Sequence, residues 1–278
     1  MENESPLKKY SRQPKIYINL PSGGKFYNQD VLYGDTYTEL AVYSMTANDE
    51  ILYKTPDALI NGRATAEAIK SCIPSVLKPF ELVTLDVDAI LLAMRLATQG
   101  QTMTVGRRCK HCQEDNQYDI NIQKYIDYYN TLEFDSVVIY EDFKVNIIPL
   151  TYGQYTELQK ESVGFQRALA VQLPKIEDQD EKDKAQDTIL NGIARLNLKT
   201  ILLSIESIEI EGNKETSKTA MVEFIENYDV NMFKAIKDHI DKQYRIWQLP
   251  LEKVSCAACN KENELRITVD QTDFFGRG

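Results

Sequence analysis

The sequence predicts an α+β fold with a small strand-and-helix part near the N-terminus and a mainly helical domain inserted between two halves of a ribbon. Three observations predict this fold. Short alternating and apolar runs occupy the first third of the chain, and helical periodicity dominates the stretch from about residue 150 to 250. A Cys-x-x-Cys pair followed by an alternating strand lies on each side of that stretch.

The composition is that of a folded globular protein. Of 278 residues, 43% are hydrophobic and 27% are charged, close to the globular average, which excludes a disordered or fibrous chain. The 42 acidic residues outnumber the 32 basic ones, giving a formal net charge of -10 and a pI near 4.9. Such a surface repels phosphate backbones and anionic lipids, so we expect no broad adhesion to nucleic acid or membranes.

The apolar runs of the sequence are all short. None approaches the roughly 20 apolar residues that a membrane-spanning helix needs. The first residues of the chain also lack the long apolar core and the small-residue cleavage site of a secretion signal. We therefore expect a soluble protein without a secretion signal.

The N-terminal α+β region is predicted over residues 15–105, after a polar and mobile segment at residues 1–14. Strands are predicted at residues 16–20 and 37–43, and the first ends at a turn that contains Gly23 and Gly24. Thr46 is predicted to cap a helix, with acidic residues in its first turn. Two further helices are expected at residues 64–72 and 86–99. Asp86 or Asp88 begins the second, Gly100 ends it, and a strand at residues 103–105 follows.

The predicted insertion spans residues 123–251 and holds a hairpin followed by helices. Residues 136–140 and 143–148 predict the hairpin, with its turn at Glu141 and Asp142. Helices are predicted at residues 152–173, 184–204 and 219–227, with a solvated acidic linker at residues 177–183. A final helix ends before Pro250, and its apolar face is predicted to belong to the core. That face consists of Phe233, Ile236, Ile240, Tyr244 and Trp247.

Four of the five cysteines form two pairs, Cys109 with Cys112 and Cys256 with Cys259. Each pair places two thiolates on a tight turn, and soft ions such as Zn²⁺ take four such ligands in a tetrahedron. Alternating strands are predicted after the pairs, at residues 117–122 and 264–269. This layout is typical of a zinc ribbon, here a split four-cysteine zinc ribbon over residues 106–122 and 252–276.

The two pairs are separated by 143 residues, far more than in a compact four-cysteine site, so a whole domain is inserted between the halves. The alternatives to a metal site are a dithiol redox pair, two separate disulfides or chance. A redox Cys-x-x-Cys normally opens a helix, whereas these pairs precede strands, so we favour Zn²⁺, with iron as the other candidate metal. Because four thiolates leave no open coordination position, the ion is predicted to be structural.

Three other residues have possible ligand or catalytic chemistry. His111 lies between the first two cysteines and is an alternative ligand, but we expect it to point to solvent. Cys72 is predicted to be a small buried hydrophobe without chemistry. His239 is expected on a solvated helix face, among Lys237, Asp238 and Asp241.

The sequence contains none of the common catalytic signatures. There is no Gly-x-Ser-x-Gly elbow, no His-Glu-x-x-His and no Gly-x-Gly-x-x-Gly, and no pair of acids is singled out for acid-base chemistry. We predict that the protein is not an enzyme and takes no small-molecule substrate. Sixteen tyrosines indicate protein partners instead, since tyrosine is enriched in protein interfaces.

A series of short motifs occurs in a fixed order on both sides of the helical stretch. These are Leu20-Pro-Ser-Gly-Gly-Lys-Phe-Tyr27, Met45-Thr-Ala-Asn-Asp-Glu50, Pro56-Asp-Ala-Leu-Ile-Asn-Gly62, Ser71-Cys-Ile-Pro74, Asp86-Val-Asp88, Thr98-Gln-Gly100, the two cysteine pairs and Asp273-Phe-Phe-Gly276. In this order they resemble the baseplate hub and tail-assembly proteins of T-even-type contractile-tailed bacteriophages. The resemblance covers most of residues 15–122 and 250–276, while residues 150–250 correspond to a variable insert.

The resemblance implies a late protein that helps to build the baseplate hub, either retained in the virion or acting as an assembly factor. It implies other hub and tail proteins as partners, a place in the tail baseplate, and the host cytoplasm during assembly. It does not imply catalysis, and some members of the family are shorter and lack the paired cysteines.

A zinc-ribbon nucleic-acid-binding protein, such as an accessory factor of viral transcription, is the main alternative. Four basic residues lie near the cysteine pairs: Arg107, Arg108, Lys110 and Lys261. They form a small footprint on an acidic chain, and no strip of stacking aromatic residues accompanies them. We therefore expect no nucleic-acid partner.

Overall fold

The structure is a computed structural model that describes residues 11–27, 30–35, 37–55 and 61–267. It confirms the predicted α+β class, because the described residues contain eight α-helices and ten strands in small sheets. Some predicted features lie wholly or partly outside the described residues. They include the segment at residues 1–14, the motif at residues 56–62, the strand at residues 264–269, the second half of the ribbon at residues 252–276 and the motif at residues 273–276.

The chain divides into two compact units. The first unit comprises Met1–Pro79, Leu85–Leu132 and Gln248–Gly278, and the second comprises Phe80–Thr84 and Glu133–Trp247. The sequence-based division into an N-terminal region, a split ribbon and an insertion at residues 123–251 stays a prediction.

The first unit begins with two short antiparallel strands, β1 (Ile16–Ile18) and β2 (Leu40–Val42). Helices α1 (Ala47–Tyr53) and α2 (Arg63–Cys72) follow. Next comes α3 (Thr84–Gln99), which is buried around most of its circumference. Hairpin β3 (Thr102–Arg108) and β4 (Asp115–Asn121) leads into α4 (Gln123–Tyr129), a helix that the sequence analysis did not predict. Strands β9 (Glu252–Ser255) and β10 (Glu262–Leu265) form a second hairpin.

The start of α1 agrees with the prediction. The hydroxyl of Thr46 accepts a hydrogen bond from the backbone N–H of Asp49 at 3.2 Å, and the Asp49 carboxylate accepts from the backbone N–H of Thr46 at 2.7 Å. This reciprocal capping box satisfies two helix-end donors. The predicted burial of Cys72 is also confirmed, because its side chain is fully buried, and that burial raises the pKa of its thiol to about 12.

The start of α3 differs from the prediction. The helix begins at Thr84, and the Asp86 carboxylate is fully buried instead of capping the helix. It accepts hydrogen bonds from the backbone N–H of Ser22 at 2.8 Å, from the Ser22 hydroxyl and from the Tyr27 hydroxyl at 2.6 Å. The end of α3 was predicted correctly, because Gly100 follows it with a φ of 88°.

The loop held by Asp86 requires glycine at one position for two reasons. Gly24 has a φ of 79°, and a Cβ placed there meets the Cγ of the Tyr37 ring at 2.3 Å. Gly23 also has a positive φ of 59°, but a Cβ there meets nothing within 4 Å. The left-handed conformation therefore disfavours alanine at both positions, and steric overlap adds to the cost only at Gly24.

We expect Gly23→Ala to lower the free energy of unfolding by about 1 kcal/mol, the cost of the left-handed conformation. Gly24→Ala should cost about 1–3 kcal/mol more, because the Tyr37 ring has to move. Urea unfolding of the two variants beside the wild type measures the difference. Equal losses in both variants contradict the packing of Gly24 against Tyr37.

The second unit contains a four-stranded antiparallel sheet in the order β5-β6-β7-β8. The predicted hairpin is confirmed as β5 (Val137–Tyr140) and β6 (Phe143–Ile147). Strands β7 (Ile205–Ile210) and β8 (Asn213–Glu215) were not predicted. Four helices complete the unit: α5 (Tyr152–Arg167), α6 (Gln179–Leu203), α7 (Lys218–Asn227) and α8 (Val230–Ile246).

The predicted acidic linker was wrong, because most of it belongs to α6. The Asp178 carboxylate accepts a hydrogen bond from the backbone N–H of Glu181 at 2.8 Å and caps the helix. Acidic side chains in a first helical turn are stabilised by the helix dipole, so the same charges that predict a solvated linker also fit a helix start.

The predicted helix at residues 152–173 is shorter as an α-helix, since a π-helical turn (Ala168–Gln172) follows Arg167.

The apolar face predicted for the last helix is confirmed as part of the core. Ile236 and Ile240 of α8 are buried with Val145 and Ile147 of β6.

The predicted solvated position of His239 is wrong, since its side chain is only 15% exposed. Its Nε2 lies 2.8 Å from the backbone carbonyl oxygen of Asp135, which explains its position.

Helix α8 is capped by a carboxylate whose pKa depends on folding. Asp229 accepts hydrogen bonds from the backbone N–H of Asn231 at 2.9 Å and from the hydroxyl of Tyr140 at 2.7 Å. The first of these bonds and then the second lower the pKa of Asp229 below 3.8. Because the folded-state pKa is depressed, the stabilisation is present above the unfolded pKa and is lost as the pH falls through the folded pKa.

Asp229→Asn should therefore reduce the stability of the protein at neutral pH, and the difference from wild type should shrink as the pH falls below about 4. Asparagine keeps one oxygen that caps the helix but loses the second oxygen, which accepts from the Tyr140 hydroxyl. The charge is therefore measured by how the difference changes with pH. Thermal unfolding across this pH range measures the effect, with Asp238→Asn on the exposed side of α8 as the control. A difference that does not change with pH contradicts the assignment.

Candidate metal centre

Two similar hairpins carry the four paired cysteines in the first unit. Strands β3 and β4 pair from Thr102 opposite Asn121 to Arg108 opposite Asp115, and the turn between them carries Cys109 and Cys112. Strands β9 and β10 pair around the turn that carries Cys256 and Cys259. The predicted strand after each cysteine pair is therefore present, and each also has a partner strand before the pair. Both strands begin two residues earlier than predicted, at Asp115 and Glu262. The second one ends at Leu265, and the last two residues of its predicted range, 268 and 269, lie outside the described residues.

The two turns have the same backbone hydrogen bonds. In the first, the N–H of Cys109 donates to the carbonyl of Glu114 at 2.8 Å, and the N–H of Gln113 donates to the carbonyl of Cys109 at 3.0 Å. The residue after each pair has a positive φ, 64° at Gln113 and 56° at Asn260. The second turn repeats both bonds, from Cys256 to Lys261 at 3.0 Å and from Asn260 to Cys256 at 2.9 Å. The two halves are thus one local structure that occurs twice.

The fold brings the four cysteine sulfurs together. All four Sγ atoms lie within 4.8 Å of one another, with Cys109 to Cys259 at 3.8 Å and Cys112 to Cys256 at 3.6 Å. Metal–sulfur bonds of about 2.3 Å in a regular tetrahedron place the sulfurs about 3.8 Å apart. The spacing therefore fits a single four-coordinate ion.

The surroundings of the sulfurs favour thiolates on the buried side of the cluster. Hydrogen bonds from the backbone N–H groups of Cys112 and His111 lower the pKa of Cys109 to about 6. The backbone of Glu114 acts to lower the pKa of Cys112, but desolvation and the three neighbouring cysteines together raise it to about 12. Four sulfurs at this spacing repel one another as thiolates unless a cation lies among them.

The cysteines differ in their exposure to solvent, whereas the histidine and the basic residues near the turns are all exposed. All five cysteines are described and none is in a disulfide; Cys109 and Cys256 are buried, and Cys112 is exposed. His111 is exposed, and its ring is not part of the four-sulfur cluster. The four basic residues near the turns are exposed, and Arg108 pairs with Asp115 at 3.2 Å.

Two buried asparagines beside the sulfurs were missed by the sequence analysis. The side-chain amide of Asn116 donates to Cys256 Sγ at 3.5 Å, and that of Asn263 donates to Cys109 Sγ at 3.4 Å. A signal for them exists in the sequence, since each asparagine follows the second cysteine of its pair by four residues. The repeated unit is therefore Cys-x-x-Cys-x-x-x-Asn.

The sequence matches a protein-family model over nearly its whole length. A family model described as T4 bacteriophage base plate protein matches residues 13–276, which include both cysteine hairpins. The chain belongs to this family. Searches of the curated proteins and of the solved structures gave no match.

Membership of the T4 base plate family has direct consequences for function. The chain is a structural protein of a phage baseplate, it associates with other baseplate or tail proteins, and it is located in the virion tail. The earlier resemblance to baseplate proteins is confirmed at this level. Among the described residues, no helix combines the length and apolar character that crossing a bilayer requires.

Proposed function

We propose that the chain is a non-enzymatic structural or assembly protein of the baseplate hub, in which a closed Zn²⁺ centre clamps the two ends of an inserted helical domain. The ligands are Cys109, Cys112, Cys256 and Cys259. The observation that carries the proposal is the convergence of these four sulfurs at tetrahedral spacing, from two hairpins 143 residues apart in the chain.

The donor set supports a structural role for the ion. Thiolates are soft ligands that select Zn²⁺ or iron. Four of them complete a tetrahedron, so no position is left for water or substrate. When bound, the ion supplies fixed coordination and no reaction chemistry. Sulfurs within 4.8 Å of one another also favour one ion over a cluster that places several irons between the thiolates.

The clamp follows from where the ligands lie in the chain. One hairpin precedes the insertion at residues 123–251 and the other follows it, so an ion bound by both fixes the segments that enter and leave the insertion. A second link has the same effect, since Glu252 of β9 accepts a hydrogen bond from the Tyr125 hydroxyl of α4 at 2.8 Å and pairs with Lys124. Metal-coupled folding then stabilises the first unit.

The assignment to the hub rests on the motifs that resemble hub and tail-assembly proteins. The place in the virion implies other hub subunits as partners, with the host cytoplasm as the place of assembly. Exposed tyrosines such as Tyr17 and Tyr33 are candidate contacts, because tyrosine combines large contact area with a polar tip.

Quantitative mass spectrometry of purified virus particles and of infected-cell lysate tests the assignment. Association with hub subunits is expected in both forms of the proposal. A few copies per particle identify a retained hub component, whereas co-purification with hub intermediates from lysate alone identifies an assembly factor. A chain found with neither overturns the proposal, and binding of DNA or RNA that weakens steeply with salt supports the nucleic-acid alternative.

A further inference from the structure

Asn116 makes three hydrogen bonds, two of which reach the other half of the ribbon. Its Nδ2 donates to Cys256 Sγ at 3.5 Å, and its Oδ1 accepts from the backbone N–H of Ala257 at 2.9 Å. The third bond stays within its own half, from Nδ2 to the carbonyl of Glu114 at 2.9 Å. Both hydrogens of the amide and its oxygen are thereby used.

Asn263 makes the same three bonds in the opposite direction. Its Nδ2 donates to Cys109 Sγ at 3.4 Å, and its Oδ1 accepts from the backbone N–H of Lys110 at 3.0 Å. The bond within its own half runs from Nδ2 to the carbonyl of Lys261 at 3.2 Å. The two halves are therefore linked by a reciprocal pair of amides.

Both asparagine side chains are buried, which makes their hydrogen bonds to protein atoms important for stability. Asn116 is 7% exposed and Asn263 is 4% exposed, so each amide is satisfied by protein atoms in place of water. A hydrogen bond to a charged acceptor is stronger than one between neutral groups, so the N–H···S bonds gain strength when the sulfurs are thiolates. Of the side chains of this length, only an amide offers the sulfur a donor and the facing backbone N–H an acceptor.

We propose that Asn116 and Asn263 are the positioning residues of the metal centre, each fixed on one half of the ribbon and holding a buried thiolate of the other half. The inference rests on the metal centre of the proposed function. The amides orient Cys109 and Cys256, stabilise their thiolate form by hydrogen bonding, and bring the two hairpins into register. The more exposed sulfurs of Cys112 and Cys259 then complete the tetrahedron.

Two kinds of substitution distinguish the hydrogen bond to sulfur from the hydrogen bond to the backbone N–H. Asn263→Asp keeps an oxygen for the N–H of Lys110 but replaces the donor to sulfur by a negative oxygen. Asn263→Ala removes all three side-chain bonds and adds no charge, and the same pair of changes applies to Asn116. Asn121→Asp is the matched control, because Asn121 is exposed on β4 and uses only its oxygen, accepting from the N–H of Gln123 at 3.0 Å.

The experiment is a titration of the full-length protein with Co²⁺ and Zn²⁺ in competition with a chelator of known affinity. Both substitutions at either asparagine should weaken metal affinity about 10- to 100-fold, as is typical of groups that hold metal ligands. The sulfur-to-cobalt charge-transfer band should also shift in energy, which a general loss of stability does not produce. Asn121→Asp should bind as the wild type does.

The outcomes distinguish this inference from the function on which it rests. If the wild type shows no four-thiolate cobalt spectrum, the metal centre itself is wrong. If the wild type binds and the variants at both asparagines bind equally tightly with an unchanged spectrum, only the positioning role is overturned. Circular dichroism of each metal-free variant shows whether it is folded, and the single substitutions each leave the other amide in place.

Discussion

Cys256→Ser combined with Cys259→Ser is expected to abolish metal binding and to remove the zinc-dependent part of the stability of the full-length protein. An ion that binds only the folded state contributes about 4 kcal/mol when its free concentration is 1,000 times the dissociation constant. The double variant should therefore unfold at a markedly lower temperature in the presence of zinc. The serine hydroxyls do not replace thiolates as ligands for a soft ion.

The control for this prediction is Cys72→Ala. Cys72 is fully buried and lies outside the four-sulfur cluster, so its loss leaves a small cavity without removing a ligand. Its effect should be the same with and without zinc. Thermal unfolding with zinc and with a chelator measures both variants. A double-serine protein as stable as the wild type in zinc contradicts the clamp.

The second large effect is expected at Asp86. Asp86→Ala removes the acceptor for the backbone N–H and the hydroxyl of Ser22 and for the hydroxyl of Tyr27. Ser22 is only 5% exposed, so its donors are left without water. Each unsatisfied buried donor costs about 1–3 kcal/mol, so the free energy of unfolding should fall by about 3 kcal/mol or more.

Two milder variants should lower the free energy of unfolding by less than Asp86→Ala does. Tyr27→Phe removes one hydrogen bond and should cost about 1 kcal/mol. Asp86→Asn should cost less than Asp86→Ala, because burial raises the pKa of Asp86 against the hydrogen bonds from Ser22 and Tyr27, and the neutral amide avoids that burial penalty. Urea unfolding ranks the three. Equal, small losses of stability in all of them show that the loop at residues 21–27 is not held by Asp86.

The clustering of the four cysteines was predictable because cysteine spacing is a local signal with a specific chemical meaning. Two Cys-x-x-Cys turns, each followed by an alternating strand, predicted the two halves of a four-cysteine ribbon, and the structure brings their sulfurs together. The capping box at Thr46 and the end of α3 at Gly100 are local for the same reason. In each case the residues that decide the structure lie within one turn of the chain.

The features that sequence reasoning missed depend on residues far apart in the chain. Asp86 or Asp88 was predicted to begin a helix, but the hydrogen-bond partners of Asp86 are 59 and 64 residues away. The asparagines act on sulfurs 140 and 154 residues away, so their role is visible only once the two halves meet. The start of α6 was missed for a different reason, since first-turn carboxylates and a solvated acidic linker have the same composition.

The mass of the intact full-length chain under native conditions tests the central claim most directly. One Zn²⁺ per chain is predicted, lost on addition of a strong chelator and absent when either cysteine pair is replaced by serine. Loss of the ion on removal of one pair alone is the decisive result, because it requires both halves to hold the same metal. A chain without metal, a multi-iron cluster, or one ion retained by each separate pair contradicts the split centre.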